Sequence, residues 1–169
     1  MTSDETNITI MTMKLKAGDF WLSKHFSFYE CTKSRDHPEL VKANREYFSH
    51  QPYLGRLIVG SEYMLEGIRE IVDAPVIVNN GGRFPELNAA VGGVSTSQHL
   101  FSRMNGGAYD ITVPGQKIEV VAFKIFNYGL SFYQMRVYVK SNFIHIGMPR
   151  GYRDMQISFP ESEAPGWAK

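Results

Sequence analysis

Three residues in this chain are of types that together bind metal ions. His99 stands in a polar turn within "STSQHLFSRMNGGAYDITV", Asp110 follows eleven positions later at the head of an apolar run, and His145 lies inside the apolar stretch "NFIHIGM". Buried in such a stretch, a histidine needs a partner, because an unpaired polar ring is costly to bury. Two imidazoles and a carboxylate are a sufficient set for zinc, with a fourth tetrahedral position left to water. A site of that kind can activate its water as a nucleophile. The plainer alternative makes His145 a core histidine bonded to a backbone carbonyl and Asp110 a turn acid. Spacing alone leaves both open. The metal reading requires the strand of His145 to lie beside that of Asp110.

The elements that must achieve this can be read from periodicity and punctuation. "SFYE" has the form of a capping box, so a short helix is expected to start after Ser27. "HPELVKANREYF" reads as a helix with Pro38 in its first turn. Tyr53 to Val72 is the strongest helical segment, with apolar residues at steps of three and four. "APVIVNN" reads as a short buried strand, and "GGRFPELNAAVGG" as a glycine-bounded turn holding one helical turn. In "GAYDITV" strict alternation puts Ala108, Asp110 and Thr112 on one face and Tyr109, Ile111 and Val113 on the other. A helix is expected from Pro114 through about Tyr128. Two β-rich runs around Lys140-Ser141-Asn142 read as a hairpin. The pattern is α+β: N-terminal helices packed on a small, mainly antiparallel sheet. Residues 1–18, with a β-prone patch at Ile8 to Met13, are expected to be loosely ordered. Residues 19–150 form a single domain, and 151–169 a tail on the surface.

Composition narrows the function classes. The chain has 169 residues and a net charge of +1, so no global field draws it to nucleic acid. Its single cysteine, Cys31, forms no internal disulfide and is expected to be buried and inert. No run of about 18 apolar residues suggests a membrane span, and the N-terminus has no secretory h-region. Oligomeric state is left open.

"VIVNNGGRFPELNAAVGGVSTSQHL", "GGAYDI" and "NFIHI" together resemble the M15 peptidase family of zinc D-Ala-D-Ala carboxypeptidases and endolysin-type peptidoglycan peptidases. The likeness lies in Ser97-Gln98-His99, in Gly106-Gly107-Ala108-Tyr109-Asp110 and in Phe143-Ile144-His145; "LSKHFSFYECTKS" resembles the family's usual start. The resemblance implies a hedgehog-like, D-Ala-D-Ala carboxypeptidase fold. It implies one zinc per chain, held by His99, Asp110 and His145. It also implies catalytic parts for Arg83, in "GGRFP", and for Ser97.

Arg83 could pair with a substrate carboxylate or steady an oxyanion, or simply make a surface salt bridge. Ser97 could bond the substrate backbone, or only its own turn. Gly106-Gly107 and Gly92-Gly93 would allow the turns that aim Asp110 and His99. The implied substrate is a peptidoglycan stem peptide. The implied setting is a protein made in the cytoplasm that acts on the cell wall after release, or as part of a phage particle.

Two departures stand out. The gap between His99 and Asp110 is longer than the family's, and the extra residues, Phe101 to Asn105, are expected to protrude at the rim. The position three before His145, an acid in several branches of the family, is Asn142. The general base that hydrolysis needs is therefore not identified; Glu86 and Asp154 are weak candidates. That gap supports an alternative: the same fold kept as a non-catalytic binding or structural module.

Overall fold

The computed structural model describes residues 19–104, 106–150 and 155–160. The expectation for residues 1–18 lies outside them, as does Asp154. The described chain is α+β. The helices are α1 (Phe28–Thr32), α2 (Val41–Phe48), α3 (Tyr53–Gly60), α4 (Glu66–Val72), α5 (Pro85–Ala90) and α6 (Ile118–Asn127). A π-helical turn, Ser61–Leu65, joins α3 to α4 without a break. The strands are β1 (Ile77–Asn80), β2 (Ala108–Thr112), β3 (Gln134–Tyr138), β4 (Phe143–Gly147) and β5 (Gln156–Ser158). They form one sheet in the order β1-β2-β4-β3-β5, antiparallel except for the β3–β5 pair.

Alternation sorts this sheet into an apolar and a polar face. Val78, Tyr109, Ile111, Met135, Val137, Ile144 and Ile146 are buried in one core with Leu57, Leu65 and Ile68 of the long helix and Val121 and Ile125 of α6. Asp110 pairs across the ladder with His145, and His145 with Arg136. Residues directly opposite in an antiparallel pair share a face, so these three line the other side. β1 joins them through a bulge: Val78 pairs with Ile111 and Asn80 with Asp110, leaving Asn79 as the extra residue. In a regular strand Val78 and Asn80, two positions apart, would share a face. The bulge breaks that alternation, so Val78 stays in the core and Asn80 reaches the polar side.

Several boundaries follow local chemistry. Ser27 caps α1 by accepting from the backbone N–H of Glu30 at 3.2 Å, while the Glu30 carboxylate accepts from Val78 N at 3.3 Å instead of closing the box. Three sequence expectations need correction. β1 is an edge strand, and its Ile77 is exposed. Pro114 does not open α6: Gly115, at φ +77°, turns the chain first, and the helix starts at Ile118. Phe101 does not protrude: it is fully buried, with its ring edge-on to Phe48 and Tyr109, and of the described residues that follow it Arg103 and Met104 are exposed. The C-terminal tail adds a strand, β5, that its composition does not announce. Among the described residues no helix is long and apolar enough to cross a membrane.

Candidate metal centre

The hairpin of β3 and β4 lies beside β2, as the metal reading requires. His99, Asp110 and His145 offer ligand atoms that all lie within 4.8 Å of one another, the one such cluster among the described residues. Asp110 Oδ1 is 2.9 Å from His145 Nδ1 and 3.3 Å from His99 Nε2. Asp110 and His99 are buried, and His145 is nearly so.

His99 is delivered by the 3₁₀ turn Gln98–Leu100. Two contacts dock that turn on the loop after β1: His99 Nδ1 lies 2.8 Å from the carbonyl oxygen of Gly81, and Arg83 N donates to the carbonyl oxygen of His99 at 2.8 Å. The loop is held in turn by Asn44 of α2, which is fully buried. Its amide donates to the carbonyls of Thr32 and Gly82, both at 2.8 Å, and accepts from Phe84 N at 2.7 Å. Gly106, at φ +69°, turns the chain into β2 in a conformation glycine adopts freely. Gly107 lets the Phe101 ring pack close: a Cβ there would lie 2.5 Å from it.

The proton inventory of the two rings points to a cation. His99 Nδ1 faces the Gly81 carbonyl, and His145 Nε2 faces Gln98 Oε1 at 3.3 Å. The opposite nitrogen of each ring faces Asp110 Oδ1. All of these partners are acceptors, yet a neutral imidazole carries one proton. Burial pulls His145 below the ordinary imidazole value, against the pull of Asp110, so the doubly protonated ring is disfavoured. If the outer nitrogens carry the protons, two lone pairs and a carboxylate oxygen meet at one point. A divalent ion resolves that conflict. Zinc bonds of about 2.0–2.1 Å would give tetrahedral edges of about 3.3 Å, close to the two distances from Asp110 Oδ1 to the ring nitrogens. The donor set therefore fits.

Asp110 is held on its far side too. Its Oδ2 accepts from Asn80 Nδ2 at 3.1 Å and pairs with Arg83 Nη2 at 3.3 Å. Burial pushes this carboxyl up, but the imidazoles of His99 and His145 outweigh it and hold the group well below the usual carboxylate range. Burial lowers Arg83 and Asp110 opposes that shift. Arg83 is thus no surface salt bridge; it braces the candidate ligand, and its buried Nε has no partner among the described residues. Ser97 caps the His99 turn, its Oγ accepting from His99 N at 3.3 Å. Asn142 sits at the hairpin turn with φ +52°, and its carbonyl accepts from Thr112 Oγ1 at 3.1 Å. Asparagine tolerates that left-handed conformation, which accounts for it locally. Glu86 is exposed on α5, and its charge bears on Tyr47.

Sequence reasoning missed Asn44, Asn80 and Gln98. Nothing in the pattern of "VKANREYF" marks Asn44 as buried, and Asn80 depends on a bulge. Cys31 is as expected: buried, with its thiol pushed up to about 12 by desolvation.

Against known proteins, the model of a family described as Peptidase M15 matches residues 38–147, more than half of the chain and all three clustered residues. No curated protein matches.

Proposed function

The chain belongs to the peptidase M15 family, and from that premise we propose that it is a zinc-dependent peptidase that hydrolyses peptide bonds in bacterial peptidoglycan stems. The family makes it a metallopeptidase acting on peptides; zinc, the wall substrate and the residue roles are our reading. The observation that carries the reading is the meeting of His99 Nε2 and His145 Nδ1 on Asp110 Oδ1, with each outer ring nitrogen already engaged. His99, Asp110 and His145 would hold one zinc per chain. The chemistry supplied there is Lewis-acid: polarisation of a peptide carbonyl and acidification of a water. Arg83 braces Asp110 and offers guanidinium N–H groups to an anionic part of the substrate or a developing oxyanion. Ser97 has its hydroxyl proton left to donate, since its accepted bond comes from His99 N. The setting proposed is the bacterial cell wall, reached after release from the cytoplasm or as part of a phage particle.

Metal analysis and digestion of peptidoglycan fragments test this together. The wild type should bind about one zinc per chain and release fragments, and His145→Ala should do neither. Wild-type protein that stays metal-free in zinc-supplemented buffer contradicts the site. A second reading, a binding module that keeps the metal without turnover, is favoured by one observation: Asn142 serves the hairpin turn where an acid would be expected. Zinc binding with no fragments released from walls of several chemotypes would establish it. If fragments are released, Glu86→Gln and Asp154→Asn test the general base, whose loss costs roughly 10²–10⁴ in turnover.

A further inference from the structure

We infer that Gln98 is a positioning residue that fixes the ring of His145, and that position 147 is glycine so that Gln98 can reach it. The inference rests on the zinc reading above and deepens it. Gln98 precedes His99 in the same 3₁₀ turn and is buried, with 7% of its surface exposed. Its Oε1 lies 3.3 Å from His145 Nε2, across 47 residues of sequence. An amide oxygen only accepts. It therefore selects the tautomer with the proton on Nε2 and the lone pair on Nδ1, the nitrogen 2.9 Å from Asp110 Oδ1. One short turn thus supplies the first imidazole directly and orients the second through its neighbour. Partners of this kind fix the tautomer and orientation of metal-binding histidines in general.

β4 leaves room for this at Gly147, two residues beyond His145 and on the same face of the sheet. A Cβ at Gly147 would lie 2.3 Å from Gln98 Nε2 and 2.6 Å from Oε1. Gly147 lies in a regular strand and is not among the residues of positive φ. Its glycine is required for space, not for backbone freedom. The arrangement also carries a penalty. Gln98 Nε2 is buried without a hydrogen-bond partner among the described residues. An unmade buried hydrogen bond costs stability, so a methionine of similar shape would suit the fold at least as well. What methionine lacks is the acceptor.

The test measures zinc affinity by chelator competition and the melting temperature of the metal-free protein, for wild type, Gln98→Met, Gln98→Glu and Gly147→Ala. Gln98→Met should melt at or above the wild-type temperature yet bind zinc about 10–100-fold more weakly. Gln98→Glu, which keeps an acceptor, should restore most of that affinity. Gly147→Ala should weaken zinc in the wild type but add little in a Gln98→Ala background, where the space is empty. Nitrogen-15 NMR of zinc-loaded wild type should show the His145 proton on Nε2, which keeps the inference testable should a variant fail to fold. Equal affinity in wild type and Gln98→Met, equal losses in the Met and Glu variants, or a proton on Nδ1 would each overturn it. Those results leave the peptidase reading intact; a wild type that binds no zinc overturns both.

Discussion

The ring of His99 and the backbone of Gly81 are joined by a hydrogen bond of 2.8 Å, Nδ1 to carbonyl oxygen. It aims Nε2 at Asp110 and makes the placement of one loop decisive for the centre. Gly81 can lie there because it lacks a side chain: a Cβ would lie 2.3 Å from the carbonyl oxygen of Cys31. Gly81→Ala should therefore push the loop off α1, misaim His99 and weaken zinc about 10–100-fold. Isothermal titration with zinc checks this. Wild-type affinity in a folded Gly81→Ala protein would show that the loop does not orient the ring.

Asn44→Leu should destabilise the protein by several kcal/mol, since it leaves two carbonyls and one N–H buried without partners, at roughly 1–3 kcal/mol each. Urea denaturation of the metal-free protein measures it. A loss under about 1 kcal/mol would mean that water or backbone movement replaces the three bonds.

Arg83→Ala should keep its zinc while turnover on peptidoglycan fragments falls about 10²–10³-fold, the usual cost of removing a group that stabilises developing charge. Zinc content, melting temperature and rate are read on the same preparation. A lower melting temperature with unchanged rate would make Arg83 a structural brace for Asp110 alone.

Acid sensitivity should have a component far from the metal centre. Burial raises the Glu66 carboxyl, but bonds from His25 and Ser23 outweigh it and hold the group below its ordinary value. A depressed folded pKa contributes stability above the unfolded value and loses it as pH falls through the folded one. Glu66→Gln should thus lower stability near neutral pH and flatten its fall as pH drops through the ordinary glutamate range and below it. Urea midpoints across that range decide it; parallel curves for the two proteins would remove Glu66 from the acid response.

The sequence carried most of the architecture because periodicity and capping are local. Alternation in "GAYDITV" put Asp110 opposite the core, and Ser27, Pro38 and the Lys140–Asn142 turn marked real boundaries. The three clustered residues were legible for a different reason, a resemblance that joined segments far apart in the chain. What stayed hidden depends on three-dimensional parity and packing. The β1 bulge that turns Asn80 to the polar face has no composition signal. Phe101 read as part of an inserted loop, but its ring fills core space between Phe48 and Tyr109. Gln98 and Gly147 form a pair only when the turn lies over β4.

The most direct test of the metal centre is anomalous diffraction at the zinc edge from crystals of the zinc-loaded protein. One peak per chain should lie about 2.0–2.2 Å from His99 Nε2, His145 Nδ1 and an Asp110 carboxylate oxygen. A peak bound elsewhere, ligation through His145 Nε2, or no peak in fully loaded crystals would contradict the account.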